Sequence, residues 1–534
     1  MPRTRTVSSL VLAAALLMGG ALAQPARYDL LLRGGRIVDG TGSPWYRGDL
    51  AVTGDTIVAI GPSLPGAASR EIDLHGLIVA PGFIDIHTHA RRGIFEVPTA
   101  ENYVRQGVTT LFEGQDGSSP LPLGEFLQRV AATPITPNFG SFVGQGSVRE
   151  QVVGREDRAA TSPEIEQMQA LVRTGMEDGA FGLSSGLFYV PGAFASTEEV
   201  IALATVAGRM GGIYISHMRD EASGLLDSVR ETIRIGEDGG LPTQLTHHKA
   251  IGQPNWGRTV DTLRMVDEAR ARGVDVTIDQ YPYTASSTRV QAALFPTWAQ
   301  EGSREAVLDR LRDAATRRRI RAEVADIIRD ERGGGDASGV QLASCEWDPS
   351  LDGKTLAEVT RDRGADPTLE NAADTAIWIV EQGGCGGIFH AIDERDLVRV
   401  LAHPATMVAS DGGVQVFGRA APHPRSYGTF VRVLGRYVRE QGVITLEDAV
   451  RKMSALPAQR TGLLDRGLLR PGMKADIAIV DPETVSDRAT FERPHQYAVG
   501  VATVIVNGRV AFEDGAMTAE RPGRVLYGPA TVGR

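Results

Sequence analysis

The chain has 534 residues, is 42% hydrophobic and 23% charged, and carries a formal net charge of -10 with ten histidines and two cysteines. An acidic balance argues against a nucleic-acid or anionic-membrane surface, which needs clustered Lys and Arg to replace counterions, so the expected partner is a small molecule. Cys345 and Cys385 are too few for a disulfide framework or a thiolate cage, so any metal must use other ligands. The sequence leaves open whether the two cysteines pair or stay as buried thiols.

At the N-terminus Arg3 and Arg5 precede an apolar run over 7–18, and Ala21-Leu22-Ala23 precedes Gln24. This three-part pattern predicts a secretory signal over 1–23, cleaved after Ala23, and a periplasmic or secreted mature chain with no membrane contact once it is removed. The apolar run is shorter than the roughly 20 residues that span a bilayer; an uncleaved anchor is the alternative. Residues 28–37 and 49–60 alternate apolar and polar side chains around Gly34-Gly35 and Gly54-Asp55, which predicts short antiparallel strands. Residues 475–480 and 502–506 repeat the pattern at the other end. Segments 24–80 and 467–534 are therefore expected to assemble one small β-sandwich from both chain ends, with two separate caps as the competing arrangement.

Between them, over 81–466, strand-like runs at 77–86, 109–112, 213–216, 243–246, 275–278 and 406–410 alternate with helical periods such as 163–178 and 197–209. Repeated strand and helix over this length predict an α/β fold with a parallel sheet, and for one domain of this size a (β/α)8 TIM-like barrel. A doubly wound sheet is the competitor, but no Gly-x-Gly-x-x-Gly follows a predicted strand. Near 290–344 the rhythm gives way to a long polar helix, read as an insertion on the barrel; its Arg317-Arg318-Arg319 run is followed by acidic residues and reads as a solvated face.

Chemistry gathers at the strand exits. His87 and His89 close the run over 77–86, and residues one apart in an extended chain point the same way, so both imidazoles can meet one ion. His217, His247 and Asp411 follow three further predicted strands, and in a barrel those exits share one rim. A divalent ion there lowers the pKa of bound water from about 15.7 towards 7 and polarises a carbonyl. Asp411 can take the proton of that water and pass it to a leaving amine, besides ligating metal.

Pro81-Gly82-Phe83-Ile84-Asp85-Ile86-His87-Thr88-His89 and Leu468-Leu469-Arg470-Pro471-Gly472-Met473-Lys474-Ala475-Asp476 resemble the amidohydrolase superfamily. Gly182-Leu183-Ser184-Ser185-Gly186-Leu187-Phe188-Tyr189-Val190-Pro191, Ser216-His217-Met218-Arg219-Asp220-Glu221, Thr246-His247-His248-Lys249 and Asp279-Gln280-Tyr281-Pro282-Tyr283 resemble its D-aminoacylase branch, the N-acyl-D-amino-acid deacylases. The resemblance implies a zinc-dependent barrel enzyme that hydrolyses the amide of N-acyl-D-amino acids or small D-residue dipeptides, using one or two ions. It assigns His87 and His89 to one metal position, His217 and His247 to the other, and proton transfer to Asp411. His248 is the neighbour of His247, and strand alternation turns it to the opposite side.

The family's thiolate ligand after the second strand is missing, for this chain reads Glu113-Gly114-Gln115-Asp116-Gly117 and Asp116 falls at the cysteine position. A carboxylate there is a harder ligand, compatible with Mn or Co as well as Zn. Glu113 is the rival, an acidic residue ending an apolar strand where an unpaired charge is costly. Gln145 stands where the family often has a histidine. Lys249 and Tyr281 match positions that hold the substrate α-carboxylate, a chemistry suited to a cation and a phenol. Arg219, Asp220 and Glu221 are expected to form a supporting ion network. The alternatives are a hydantoinase-type cyclic-amide hydrolase, against which no lysine stands in a clear bridging position, and a noncatalytic metal-binding relative.

Overall fold

The computed structural model describes residues 27–531; the expected signal at 1–23 and its cleavage point lie outside them. Among the described residues no helix is long and apolar enough to cross a membrane. The fold is α/β, with parallel strands separated by helices and a mainly antiparallel sheet built from the two chain ends.

Nine strands make the terminal sheet, five from Arg27–Ile37 to Ile78–Pro81 and four from Ile477–Val480 to Ala516–Met517. The two groups meet where Ile78–Pro81 pairs antiparallel with Ile477–Val480. Arg27–Ile37 bends at a bulge between Leu32 and Gly35, so its first half pairs with Ala67–Asp73 and its last residues with Ile78–Pro81. A side chain at Gly35 would collide with Val79 at 2.6 Å and Leu74 at 2.7 Å, which fixes glycine at the bend.

The continuous apolar run over 77–86 is two strands in two different sheets. Ile78–Pro81 belongs to the terminal sheet and Phe83–Asp85 opens the parallel set. Gly82 is the joint, because a Cβ there would meet the Thr109 side chain at 2.3 Å. Parallel pairing then runs from Phe83–Asp85 through Val108–Glu113 to Asn138–Ser141. It resumes at Val143–Gly144 and passes through Gly182–Gly186, Ile213–His217, Thr243–Leu245 and Val276–Gln280 to Thr406–Val408. Thr88 bridges Gly412, and Asp411 N–H donates to His87 O at 2.9 Å, so the exits of the last and first strands meet.

The helices between strands begin where capping chemistry supplies acceptors for their free N–H groups. Ser162–Asp178 starts behind Thr161, whose capping box with Glu164 closes the first turn, and Thr197–Arg209 starts where Ser196 Oγ accepts from Glu199 N–H at 3.1 Å. The long polar helix expected within 290–344 is two helices and not one: Arg304–Arg312 ends at Asp313, which caps Ala314–Ile327 by accepting from Thr316 N–H at 2.8 Å. Its arginines form ion pairs, Arg319 with Glu323 at 2.8 Å and Arg321 with Asp374 at 2.8 Å. The excursion also extends past 344. Val290 through Phe389 share one apolar core, over a three-stranded antiparallel sheet of Ser286–Arg289, Gly386–Phe389 and Val340–Ser344. A Cys345–Cys385 disulfide ties two of its segments, which settles what the sequence left open.

The terminal sheet is locked to the parallel strands through Asp476, which is 4% exposed. Its carboxylate pairs with Arg466 and accepts from Asn507 N–H at 2.7 Å and from Asn138 Nδ2 at 3.1 Å. Asp476→Ala strands the buried Arg466 charge and should cost about 3–5 kcal/mol in urea unfolding. A loss under about 1 kcal/mol would mean that Arg466 finds another partner.

Candidate metal centre

Six side chains converge at the C-terminal ends of the parallel strands. His87, His89, Asp116 and Asp411 form one group and Asp116, His217 and His247 a second, with potential ligand atoms in each group within 4.8 Å of one another. Asp116 belongs to both. Its Oδ1 lies 3.4 Å from His87 Nε2, 3.6 Å from His217 Nδ1 and 3.4 Å from His247 Nε2, and its Oδ2 lies 3.4 Å from His89 Nε2. Asp411 Oδ1 approaches His89 Nε2 at 3.0 Å and His87 Nε2 at 3.5 Å.

Local backbone puts these atoms there. Asp116, His247 and Asp411 all have positive φ, at 54°, 36° and 50°, a region non-glycine residues adopt at a cost of about 1–3 kcal/mol. The Asp116 loop sits between two glycines pressed onto neighbouring strands. A Cβ on Gly114 would meet Phe142 O at 2.3 Å, and one on Gly117 would meet Gly186 N at 2.6 Å. His247 is held by its N–H donating to Asp279 Oδ1 at 2.7 Å. The His217 ring packs against Tyr189 and Phe188 at centroid distances of 4.7 and 5.5 Å.

The residues fit a divalent cation. His87 Nε2 and Asp116 Oδ1 face each other at 3.4 Å, buried and without a hydrogen-bond partner, an arrangement that buried polar atoms avoid unless something else engages them. Burial works against charge on His87, yet Asp116 and Asp411 hold its imidazole well above the usual range. Burial would likewise raise the Asp411 carboxyl, but Arg425 and His87 hold it well below the carboxylate range, and Arg425 Nη1 lies 2.8 Å from Asp411 Oδ2. Asp411 is thus ionised and beside the imidazoles, the state a proton acceptor needs.

The other candidates separate. Glu113 is fully buried but turned away, its Oε2 accepting from Arg91 N–H at 2.8 Å while Arg91 Nη1 stands 3.5 Å from Oε1. His248 points to the opposite side and meets Thr262 Oγ1 at 2.7 Å; burial and the Lys249 charge push its pKa down to about 3. Lys249 and Tyr281 both line a narrow cleft against His217, His247 and Asp411. Tyr281 has an unpartnered hydroxyl there. Lys249 Nζ is already engaged, 2.6 Å from Glu221 Oε1 and 2.6 Å from His247 O. Arg219, Asp220 and Glu221 part company and form no common network. Arg219 pairs with Glu231 at 2.8 Å, Asp220 accepts from Ala222 and Gly224 N–H groups, and Glu221 alone turns inward, to His247 Nδ1 at 3.1 Å. Gln145 bonds Glu199 at 3.4 Å. Sequence reasoning missed Arg425 and Asp279. Asp279 stood in a quoted motif as a strand-end carboxylate, whereas nothing local marks Arg425.

Imidazoles and carboxylates gathered at the strand ends around one shared carboxylate define a metal-dependent hydrolase site. The chain matches the amidohydrolase family over residues 70–512. It is 38% identical over 522 residues to a D-aminoacylase of Alcaligenes xylosoxydans xylosoxydans, covering 93% of this chain and 97% of that one. It is 36% identical over 530 residues to an N-acyl-D-glutamate deacylase of the same organism, covering 95% and 98%. A solved N-acyl-D-glutamate deacylase of Bordetella bronchiseptica, complexed with zinc and a phosphonate mimic of the tetrahedral intermediate, superposes with a TM-score of 0.79 at 35% identity, covering 94% of this chain and 100% of that one. The chain belongs to the amidohydrolase family.

If Asp116 is the shared ligand, Asp116→Ala weakens metal binding by more than about 100-fold in chelator competition, since even supporting residues cost 10–100-fold. Glu113→Gln leaves it unchanged. Wild-type affinity in Asp116→Ala would remove it from the centre.

Proposed function

We propose that this protein is a metal-dependent deacylase of N-acyl-D-amino acids or small D-residue dipeptides, with zinc as its metal and one or two ions held by His87, His89, Asp116, His217, His247 and Asp411. The observation that carries this reading is the pair of ligand groups joined at Asp116. The D-aminoacylase and N-acyl-D-glutamate deacylase relatives support the substrate class.

A bound divalent ion supplies Lewis acidity and an acidified water. The chain's residues do the rest. Asp411, ionised and 3.0 Å from His89, takes the water proton and returns it to the leaving nitrogen. Tyr281 and Arg425 offer a phenol and a guanidinium to the α-carboxylate, their groups stacked 4.7 Å apart. Lys249, bound to Glu221, acts mainly on that cleft's charge and on the orientation of His247. Asp116 occupies the position shared by both ligand groups, which favours this reading over a carboxylated-lysine hydantoinase centre.

The successive parallel strands and the contact between their first and last exits support a closed (β/α)8 barrel over 81–466. The sheet shared by both ends supports a composite β-sandwich of 24–80 and 467–534. The Cys345–Cys385 disulfide and the N-terminal signal pattern support an exported, periplasmic or secreted protein. The acidic balance supports a small-molecule partner and neither nucleic acid nor membrane.

A panel of N-acetyl D- and L-amino acids and D-containing dipeptides, assayed with and without chelator, tests the function. D-substrates are expected to turn over only with metal restored. Activity surviving complete metal removal sinks the mechanism, and exclusive L activity rejects the stereochemical assignment. Asp411→Asn should lose about 10²–10⁴-fold in kcat with metal content unchanged.

A further inference from the structure

Tyr281 and Arg425, the phenol and guanidinium offered to the α-carboxylate, come from distant parts of the chain. Tyr281 follows the strand Val276–Gln280, and Arg425 opens the helix Arg425–Arg432. The pair works only if the two segments keep a fixed spacing, since a displacement of about 1 Å in a binding group can cost about 100-fold in rate. Arg425 does not fix itself. Its Nη2 reaches Ser287 O at 3.4 Å, beyond the usual range of an N–H···O bond.

His423 spans the gap. Its Nε2 lies 3.0 Å from Ala285 O, and its Nδ1 lies 3.0 Å from Arg425 N. A backbone N–H only donates, so Nδ1 is the acceptor and the ring proton sits on Nε2, which donates it to the Ala285 carbonyl. One neutral imidazole thus joins the segment after Tyr281 to the first residue of the Arg425 helix. It also supplies what the residue before that helix lacks, because Pro424 has no side-chain acceptor for the free N–H groups of the first turn.

The ring is 4% exposed and is met edge-on by Tyr281, Tyr283 and Phe491, at centroid distances of 6.1, 5.3 and 5.0 Å. Burial, then the Arg425 charge, push its pKa well below the usual imidazole range, which keeps the neutral form that both bonds require. His423 borders the open cavity above the centre, yet both ring nitrogens are spent on backbone and none is left for a substrate. Arg425 is the group that gains: its Cζ stands 4.7 Å over the Tyr281 ring and its Nη1 2.8 Å from Asp411 Oδ2.

We propose that His423 is a positioning residue, a single imidazole that clamps the Ala285 and Arg425 backbones together and so sets the Arg425 guanidinium over Tyr281. This rests on the deacylase reading above for the substrate that the pair receives.

The test is a double-mutant cycle in the metal-loaded protein, on the N-acetyl-D-amino acid that wild type hydrolyses best. His423→Phe keeps a ring and removes both bonds; it is combined with Arg425→Ala. Alone, His423→Phe should lose about 10–100-fold in kcat/KM with metal content unchanged. In the Arg425→Ala background it should lose less than about threefold more, because its effect runs through a side chain already gone. Losses that multiply, or no loss in the single variant, overturn the positioning role. His423→Asn keeps an acceptor near the Nδ1 position and His423→Gln a donor near the Nε2 position; full activity in either overturns the clamp, which needs both bonds. A crystal structure of metal-loaded His423→Phe reads the geometry even if no amide is hydrolysed. Arg425 should leave its place over Tyr281, and an unmoved guanidinium overturns the proposal. An inactive wild type with Arg425 displaced in the variant would instead sink only the deacylase reading. If His423→Phe does not fold, His423→Gln takes its place in both measurements.

Discussion

One carboxylate within reach of four imidazoles is the constraint around which the site is arranged. Asp116 stands 3.4 to 3.6 Å from nitrogens of His87, His89, His217 and His247, and no other side chain belongs to both ligand groups. Four rings from three strand exits can share such a point only if the backbone aims them. Asp116, His247 and Asp411 accordingly adopt left-handed conformations that an unconstrained loop would abandon. Their cost is carried by packing: glycines at 114 and 117 flatten the Asp116 loop against neighbouring backbone, and Asp279 holds the His247 peptide.

The surrounding charges follow from burying that cluster. Glu221 and Lys249 are 1% and 4% exposed and pair at 2.6 Å, and Arg425 balances Asp411. Each is a buried ion that would be prohibitive alone and is tolerated through its partner.

Much of this was legible in the sequence because barrel-type chemistry sits where strands end, and strand ends can be read from apolar runs. His87, His89, His217, His247 and Asp411 all lie at or just past such runs, and the structure gathers them. His248 does turn away from His247 as expected, although not by strand alternation: the strand stops at Leu245, and the left-handed His247 backbone, held by Asp279, sets the two rings apart. Arg425 was illegible for the complementary reason. It lies in a helix well after the last strand, and only the folded path carries it back to Asp411. The single apolar run over 77–86 concealed a change of sheet, because hydrophobicity reports burial and not which sheet does the burying.

Glu113 and Asp116 show where a burial argument stops. An acidic residue ending an apolar strand must be neutralised, and Glu113 is, by the Arg91 side chain and backbone. Neutralisation by a local cation satisfies the cost of burial as fully as a metal would, so burial alone cannot distinguish a ligand from a paired structural carboxylate. Glu113 Oε1 also lacks a hydrogen-bond donor, so Asp116 differs in what surrounds its open oxygen. Its Oδ1 is buried, has no hydrogen-bond donor, and faces the equally unpartnered His87 Nε2 at 3.4 Å, with His217 Nδ1 and His247 Nε2 at 3.6 and 3.4 Å. Complementary atoms left open on several side chains at one point identify a binding centre, whereas one buried charge with its counterion identifies a finished piece of the core.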